Sequence, residues 1–140
     1  ESSFDTWIDG YKRGVPHFKT NIYIEGMLCA IMCDLSIILE TNREYSLDNV
    51  IRDLYDNFGK QGKGYSEFDY LTTLKKFGNN SLEHIISDHL YGKVDYEPTL
   101  KSLLDKFGVV LKQEENSNGV EVVQAINLGK SPIKGCITSL

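Results

Sequence analysis

The residue best suited to chemistry is Tyr23, in the first turn of the helix predicted for the apolar run NIYIEGMLCAIMCDLSIILE. On a helical wheel Tyr23 shares one stripe with Met27, Ala30 and Asp34, so a phenol and a carboxylate lie on the same side of the helix. An unperturbed phenol keeps its proton at neutral pH and can donate a hydrogen bond to a developing oxyanion. Gly26 removes a side chain nearby and allows a ligand or a backbone to approach closely. On spacing alone, a half-buried core tyrosine remains the commoner alternative.

The three histidines do not predict a metal site. His84 and His89 are five residues apart, which places them about 140° apart on an α-helix, on different faces. Glu83 precedes His84, but no second histidine follows at the spacing of an H-E-x-x-H motif. We interpret these two histidines and His17 as solvent-facing or capping residues.

Other candidate motifs also favour structural roles. No serine lies in a G-x-S-x-G motif, and the loop GKQGKG lacks the G-x-x-x-x-G-K-[ST] pattern of a phosphate-binding loop. We therefore expect this loop to be a solvated surface loop. Cys29 and Cys33 lie four residues apart within the apolar run and are interpreted as small core residues. Cys136 makes the number of cysteines odd. This number does not indicate whether the protein occupies an oxidising or a reducing compartment.

Length and composition describe one ordinary folded domain. The chain has 140 residues, of which 41% are hydrophobic and 25% charged, and its formal net charge is −5. The acidic balance argues against a nucleic-acid partner, which needs clustered lysines and arginines. The apolar run falls short of about 18 uncharged residues and contains Asp34, which argues against a membrane span. The localisation cannot be assigned from the sequence.

Periodicity and capping signals predict a mainly α fold, a bundle of about six helices over residues 1–108. Ser46, Ser66 and Pro98 are typical helix-start residues, and three helices stop at a Phe-Gly pair whose glycine suits the left-handed conformation. The run that begins near Asn21 is apolar nearly all round, which predicts a central, buried helix. The predicted helices cover, in order, residues 4–11, 21–41, 47–58, 67–77, 81–90 and 98–107.

A small β segment is predicted after residue 108. The β-branched runs VVLKQ and GVEVVQAI are separated by the polar stretch EENSN, a pattern typical of a strand pair. The tail NLGKSPIKGCITSL contains turn residues and no helical period. The sequence thus predicts two regions, a helical domain over residues 1–108 and a short β segment over residues 109–140.

Residues 1–111 resemble the glycyl aminopeptidase family of zinc metallopeptidases. The family motif Tyr-Tyr-x-Lys-Gly-Ala-Leu, followed by Asp-Leu, is matched at Tyr23, Gly26 and Asp34, whereas Ile22 and Glu25 replace its first tyrosine and its lysine. The resemblance implies the C-terminal helical subdomain of a thermolysin-like catalytic domain. It is carried, in the family's order, by the segments SSFDTWIDGYK, NIYIEGMLCAIMCDLSIILETN, SLDNVIRDLY, GYSEFDYLTTL and SLEHIISDHLYGKVDYEPTLKSLLDKFGVVL.

This resemblance implies an enzyme that removes N-terminal residues, preferentially small ones, from peptides. Tyr23 would be catalytic, as the donor to the oxyanion of the tetrahedral intermediate, and Gly26 and Asp34 would support it. In the family the H-E-x-x-H motif and the third zinc ligand, a glutamate, lie N-terminal to this region. We therefore expect zinc in the full-length enzyme, held by an N-terminal lobe of the same chain. The 140-residue piece is expected to bind no zinc and to be inactive.

Three further interpretations remain open, one for the C-terminal segment and two for the chain as a whole. The segment GVEVVQAINLGKSPIKGCITSL is similar to the opening strands of a PDZ module, which would make residues 109–140 a truncated PDZ-like segment. The alternative to an enzyme is a non-catalytic helical scaffold or partner-binding domain that kept the family's fold and lost its chemistry. Glu25, which stands where the family has a lysine, supports this alternative. A standalone regulatory bundle would require Glu1 to lie near the true N-terminus.

Overall fold

The computed structural model describes residues 22–78, 80–115 and 121–127. These ranges are mainly helical, as the sequence predicts, and the helix predicted over residues 4–11 lies outside them. A 3₁₀ turn, Gly59–Gln61, and a π-helical turn, Ile86–Leu90, accompany the regular elements. Those elements are α1 (Ile22–Glu40), α2 (Leu47–Asn57), α3 (Glu67–Phe77), α4 (Asn80–Ile85), α5 (Tyr96–Lys106), β1 (Val109–Glu115) and β2 (Glu121–Asn127).

Helix α1 is buried in its second half and exposed in its first half. Met32, Cys33 and Ile37 are buried, and α1 contacts α2, α4 and the π-helical turn. The prediction of a central, buried helix is therefore confirmed for the second half of α1 and wrong for the first half. An apolar pattern on all sides predicts apolar surroundings, but burial depends on which elements pack there. The large apolar residues of the first half that remain exposed are Tyr23, Ile24, Met27 and Ile31.

The starts of α2 and α3 are fixed by side chains that bond backbone N–H groups. The Ser46 N–H donates to Asn49 Oδ1 at 2.9 Å, and the Ser66 N–H donates to Asp69 Oδ2 at 2.8 Å. The Asp69 N–H in turn donates to the Ser66 hydroxyl at 3.2 Å. The Ser66 hydroxyl also donates to Asp69 Oδ2 at 2.6 Å, and this bond, together with the one from the Ser66 N–H, lowers the pKa of the Asp69 carboxyl. Both predicted helix starts are confirmed.

The three Phe-Gly helix stops have different physical causes. Only Gly108, at φ 76°, adopts the left-handed conformation that the sequence predicts for all three. Gly78 has φ −132°, and a Cβ there would overlap the side chain of Leu82. At Gly59 a Cβ would lie 2.7 Å from the Tyr55 ring. The predicted conformation is therefore wrong at Gly59 and Gly78, where the glycine instead lies close against a neighbouring side chain.

The π-helical turn brings His89 into the core. His89 is buried, and its Nδ1 lies 3.0 Å from the Val94 carbonyl oxygen. His84, one turn earlier, is exposed, so the solvent-facing interpretation holds for His84 and is wrong for His89. The wider i→i+5 turn shifts the later residues around the helix, and an ideal α-helical wheel does not include this shift. His17 lies outside the described residues.

The structure divides into two compact units between Val94 and Asp95. In the second unit α5 contacts β1, and β1 pairs antiparallel with β2, with Val109 opposite Asn127. The boundary predicted at residue 108 falls inside this unit, because α5 groups with the two strands. Cys136 and the end of the predicted PDZ-like segment lie outside the described residues.

The turn after α1 contains two non-glycine residues in the left-handed region, Asn42 at φ 50° and Arg43 at φ 70°. Asparagine tolerates this conformation, whereas arginine is strained in it by about 1 kcal/mol. The turn is held by Thr41, whose hydroxyl donates to the Ile37 carbonyl at 2.7 Å and accepts from the Tyr45 N–H at 3.1 Å. These two hydrogen bonds involve residues before and after Arg43, and they hold its backbone in the left-handed conformation.

We predict that Arg43→Gly raises the free energy of unfolding by roughly 0.5 kcal/mol, because the relieved strain exceeds the added chain entropy of glycine. The matched control is Arg52→Gly, in the middle of α2, where glycine should cost about 1 kcal/mol. Urea denaturation of both variants checks the opposite signs. A loss of stability in Arg43→Gly as large as in Arg52→Gly would contradict the assigned strain.

Candidate functional site

Tyr23 lies at the surface, in the first turn of α1, and is 71% exposed. Gly26 lies one turn further along. A Cβ at that position would have no atom of the described residues within 4 Å, apart from its chain neighbours and the local helix backbone. The side of α1 that carries Tyr23 also exposes Met27 and Ala30. A ligand approaching this surface therefore meets a phenol with apolar groups beside it.

Asp34 does not share a site with Tyr23, although the two residues fall on one stripe of the helical wheel. Eleven residues separate them, so they lie about 16 Å apart along the helix axis. The Asp34 carboxylate accepts a hydrogen bond from the backbone N–H of Leu47 at 2.8 Å. Leu47 is the first residue of α2, whose terminal N–H groups have no partner within the helix. Asp34 thus joins α1 to the N-terminus of α2.

We predict that Asp34→Ala lowers the free energy of unfolding by about 1–2 kcal/mol, because it removes the acceptor for a helix N-terminal N–H group. Asp34→Asn keeps an acceptor oxygen and should lose less. The control is Asp48→Ala, an exposed residue of the same first turn of α2. Urea denaturation measures all three variants, and equal losses for Asp34→Ala and Asp48→Ala would disprove this role.

The thiol of Cys33 is unsuited to nucleophilic chemistry. Burial is the main cause that raises its pKa to about 12, and the nearby Cys29 and Asp34 contribute in the same direction. Burial also raises the pKa of the Tyr70 hydroxyl on α3, with smaller contributions from the two cysteines. A thiol needs its thiolate form to react, so Cys33 is inert at neutral pH. The interpretation as a small core residue is confirmed for Cys33, whereas Cys29 is half-buried.

We predict that iodoacetamide labels Cys29 and leaves Cys33 unlabelled in the folded protein at neutral pH, since the Cys33 thiol is both buried and protonated. In concentrated urea both residues should be labelled at similar rates. Mass spectrometry of the proteolysed chain measures each site separately. Rapid native labelling of Cys33 would show that the thiol is accessible and would contradict its assignment to the core.

The glycine-rich loop after α2 is exposed, as predicted for a solvated surface loop. Its two lysines bind neighbouring side chains: Lys60 lies 2.6 Å from Asp56, and Lys63 donates to Gln61 at 3.0 Å. Gly62 adopts φ 65°, which closes the turn. Both lysines of the loop therefore have a polar side-chain partner close by in the sequence.

Metal ligands are not grouped in the part of the chain that the structure describes. No three His, Cys, Asp or Glu side chains stand together there in a way that would hold a metal ion. Among the same residues, no helix has the length and apolar character needed to span a bilayer. Of the predicted site residues, Tyr23 and Gly26 are exposed, whereas Asp34 is half-buried.

One surface feature was not predicted from the sequence. An open hollow lies between α5 and β1 in the second unit, and its floor is apolar. The sequence pattern identifies the helix and the strand but not the space that their packing leaves between them. The hollow is lined by Lys101, Ser102, Asp105, Val109, Val110 and Leu111.

No protein-family model, no curated protein and no solved structure matches this chain. Its function must therefore be inferred from its own residues. Among the described residues, Tyr23 is an exposed phenol at the start of α1.

Proposed function

We propose that this chain is the helical part of a zinc-dependent aminopeptidase and supplies the tyrosine that binds the oxyanion. The main support is the position of Tyr23, exposed at the beginning of α1. A hydroxyl that serves a substrate must be reachable from outside, and a phenol sealed in the core would not be. The family resemblance is a second support, and it is carried by the order of tyrosine, glycine and Asp-Leu along a single helix.

In the proposed enzyme Tyr23 acts as a hydrogen-bond donor. Its hydroxyl donates to the substrate oxygen on which negative charge develops as the scissile carbonyl becomes tetrahedral. The bond strengthens as that charge grows, so it stabilises the transition state more than the bound substrate.

The described residues do not fit a zinc site, since they include no grouped set of three metal ligands. The proposal therefore assigns the metal to the N-terminal lobe that the family resemblance implies. The role of this chain is to bind and orient the peptide and to donate from Tyr23. An H-E-x-x-H motif with a downstream glutamate in the coding sequence upstream of Glu1 would support this division, and its absence would favour a non-catalytic protein.

We predict that Tyr23→Phe in the full-length protein lowers kcat for peptide hydrolysis by about 10²–10³-fold, because one oxyanion donor is lost. Zinc content, measured by atomic absorption, should not change. Tyr55→Phe is the matched control, because Tyr55 is 59% exposed on α2 and lies outside the proposed site. A kcat for Tyr23→Phe equal to that of Tyr55→Phe would remove Tyr23 from the mechanism.

A non-catalytic scaffold or partner-binding domain is the second candidate. Glu25 supports it, because the resemblance has a lysine at that position and the charge is reversed. The exposed apolar first half of α1 also suits a protein partner. An upstream sequence without the zinc-binding motif, together with full-length protein that hydrolyses no peptide, would select this candidate over the enzyme.

A further inference from the structure

The hollow between α5 and β1 is a concave surface feature of the second unit. Its volume is about 320 Å³, which is at the lower end of the range of ligand pockets in proteins. Val109, Val110 and Leu111 border it on the strand side, and all three are half-buried, so part of their apolar surface is open to an occupant. A side chain that covers these residues is held by the burial of apolar area.

The hollow lies along one edge of β1. Successive side chains of a strand point to opposite faces, so a hollow bordered by three consecutive residues follows the edge of the strand and not one of its faces. Within the described residues the sheet has two strands, and β2 occupies one edge of β1. Because alternate residues direct their N–H and C=O groups away from the partner strand, at least one of the three residues directs both groups toward the opposite edge. Such an edge pairs readily with another extended chain.

The helix side of the hollow has one carboxylate that is not paired within the described residues. Lys101 is paired with Glu97, one turn earlier on α5. Asp105 is exposed, and its carboxylate forms no hydrogen bond or ion pair with another described residue. An ammonium or guanidinium group is therefore attracted to this rim of the hollow, whereas a carboxylate is repelled.

The dimensions of the hollow match those of an extended chain. Lys101 and Asp105 mark the length of the α5 wall, which is about 6 Å along the helix axis. Side chains two residues apart in a strand point to the same side and lie about 7 Å apart. An extended chain therefore places a basic residue beside Asp105 and an apolar residue, two positions away, within the same hollow.

We propose that this hollow binds an extended segment of a partner protein in which leucine or a similar apolar residue stands two positions from lysine or arginine. The main chain of the segment pairs with the edge of β1 opposite β2. Its apolar side chain covers the strand side of the hollow, and its basic side chain pairs with Asp105. The site does not include Tyr23, so it is independent of the proposed function.

Fluorescence anisotropy of the full 140-residue chain with the labelled peptide Thr-Ser-Leu-Thr-Lys-Thr-Ser, blocked at both ends, tests the proposal. We expect saturable binding below about 1 mM. Replacing the leucine of the peptide by serine should weaken binding about tenfold, because the apolar contact is lost. Replacing its lysine by glutamate should weaken binding about fivefold, because like charges then meet. Methylation of two adjacent backbone nitrogens should abolish binding, since one of the two faces β1.

Variants of the chain locate the peptide. Asp105→Lys should weaken binding of the lysine peptide about fivefold and strengthen binding of the glutamate peptide by a similar factor, a reversal that a loss of stability would not produce. Ser102→Trp, at an exposed residue of α5, should fill the hollow and abolish binding of both peptides. Asp48→Lys, at an exposed residue of the first unit, is the matched control and should change neither affinity. Circular dichroism checks that each variant is folded.

A reversed charge preference in Asp105→Lys, together with loss of binding in Ser102→Trp, supports the proposal. It is overturned if no saturable binding occurs below about 1 mM, or if the leucine and serine peptides bind equally. Unchanged binding in Ser102→Trp also overturns it, because the peptide then lies elsewhere. Dimerisation of the chain in analytical ultracentrifugation that is lost in Ser102→Trp and is not inhibited by the peptide would assign the hollow to a second copy of the chain, and this result likewise overturns the proposal.

Discussion

The hydrogen bond between the Asp34 carboxylate and the backbone N–H of Leu47 joins the N-terminus of α2 to α1. A carboxylate at this position meets the positive end of the helix dipole as well as an otherwise unpaired donor. The helix is buried around and beyond this point, at Met32, Cys33 and Ile37. The first turns of α1 remain exposed, and Tyr23 lies in the first of them. The same helix therefore contributes to the core at one end and presents an exposed phenol at the other.

Local signals in the sequence predict the helices well, because their causes are local. The serine caps at Ser46 and Ser66 act within one turn, and both helices begin where these residues predict. The π-helical turn at residues 86–90 was not predicted, since no residue type marks an i→i+5 bond. Its consequence, a buried His89 beside the Val94 carbonyl, depends on packing that periodicity does not describe.

The candidate site was predicted only in part. The position of Tyr23 in the first turn of α1 followed from the apolar run and its preceding polar residue. Its exposure did not, because a helix that is apolar on all sides predicts burial. The helical wheel also grouped Asp34 with Tyr23, since a projection along the axis keeps the angle between residues and loses the distance. The structure separates these two residues and gives Asp34 its own bond, to the backbone of Leu47.

The most direct test of the catalytic role of Tyr23 uses a phosphinic peptide inhibitor, whose tetrahedral, negatively charged group resembles the intermediate. We expect Tyr23→Phe in the full-length protein to weaken binding of this inhibitor by about 10- to 100-fold, because a hydrogen bond to a charged oxygen is lost. Binding of a non-hydrolysable substrate analogue without that charge should change little. Equal affinity of wild type and Tyr23→Phe for the phosphinic inhibitor would contradict the assignment of Tyr23 to the oxyanion.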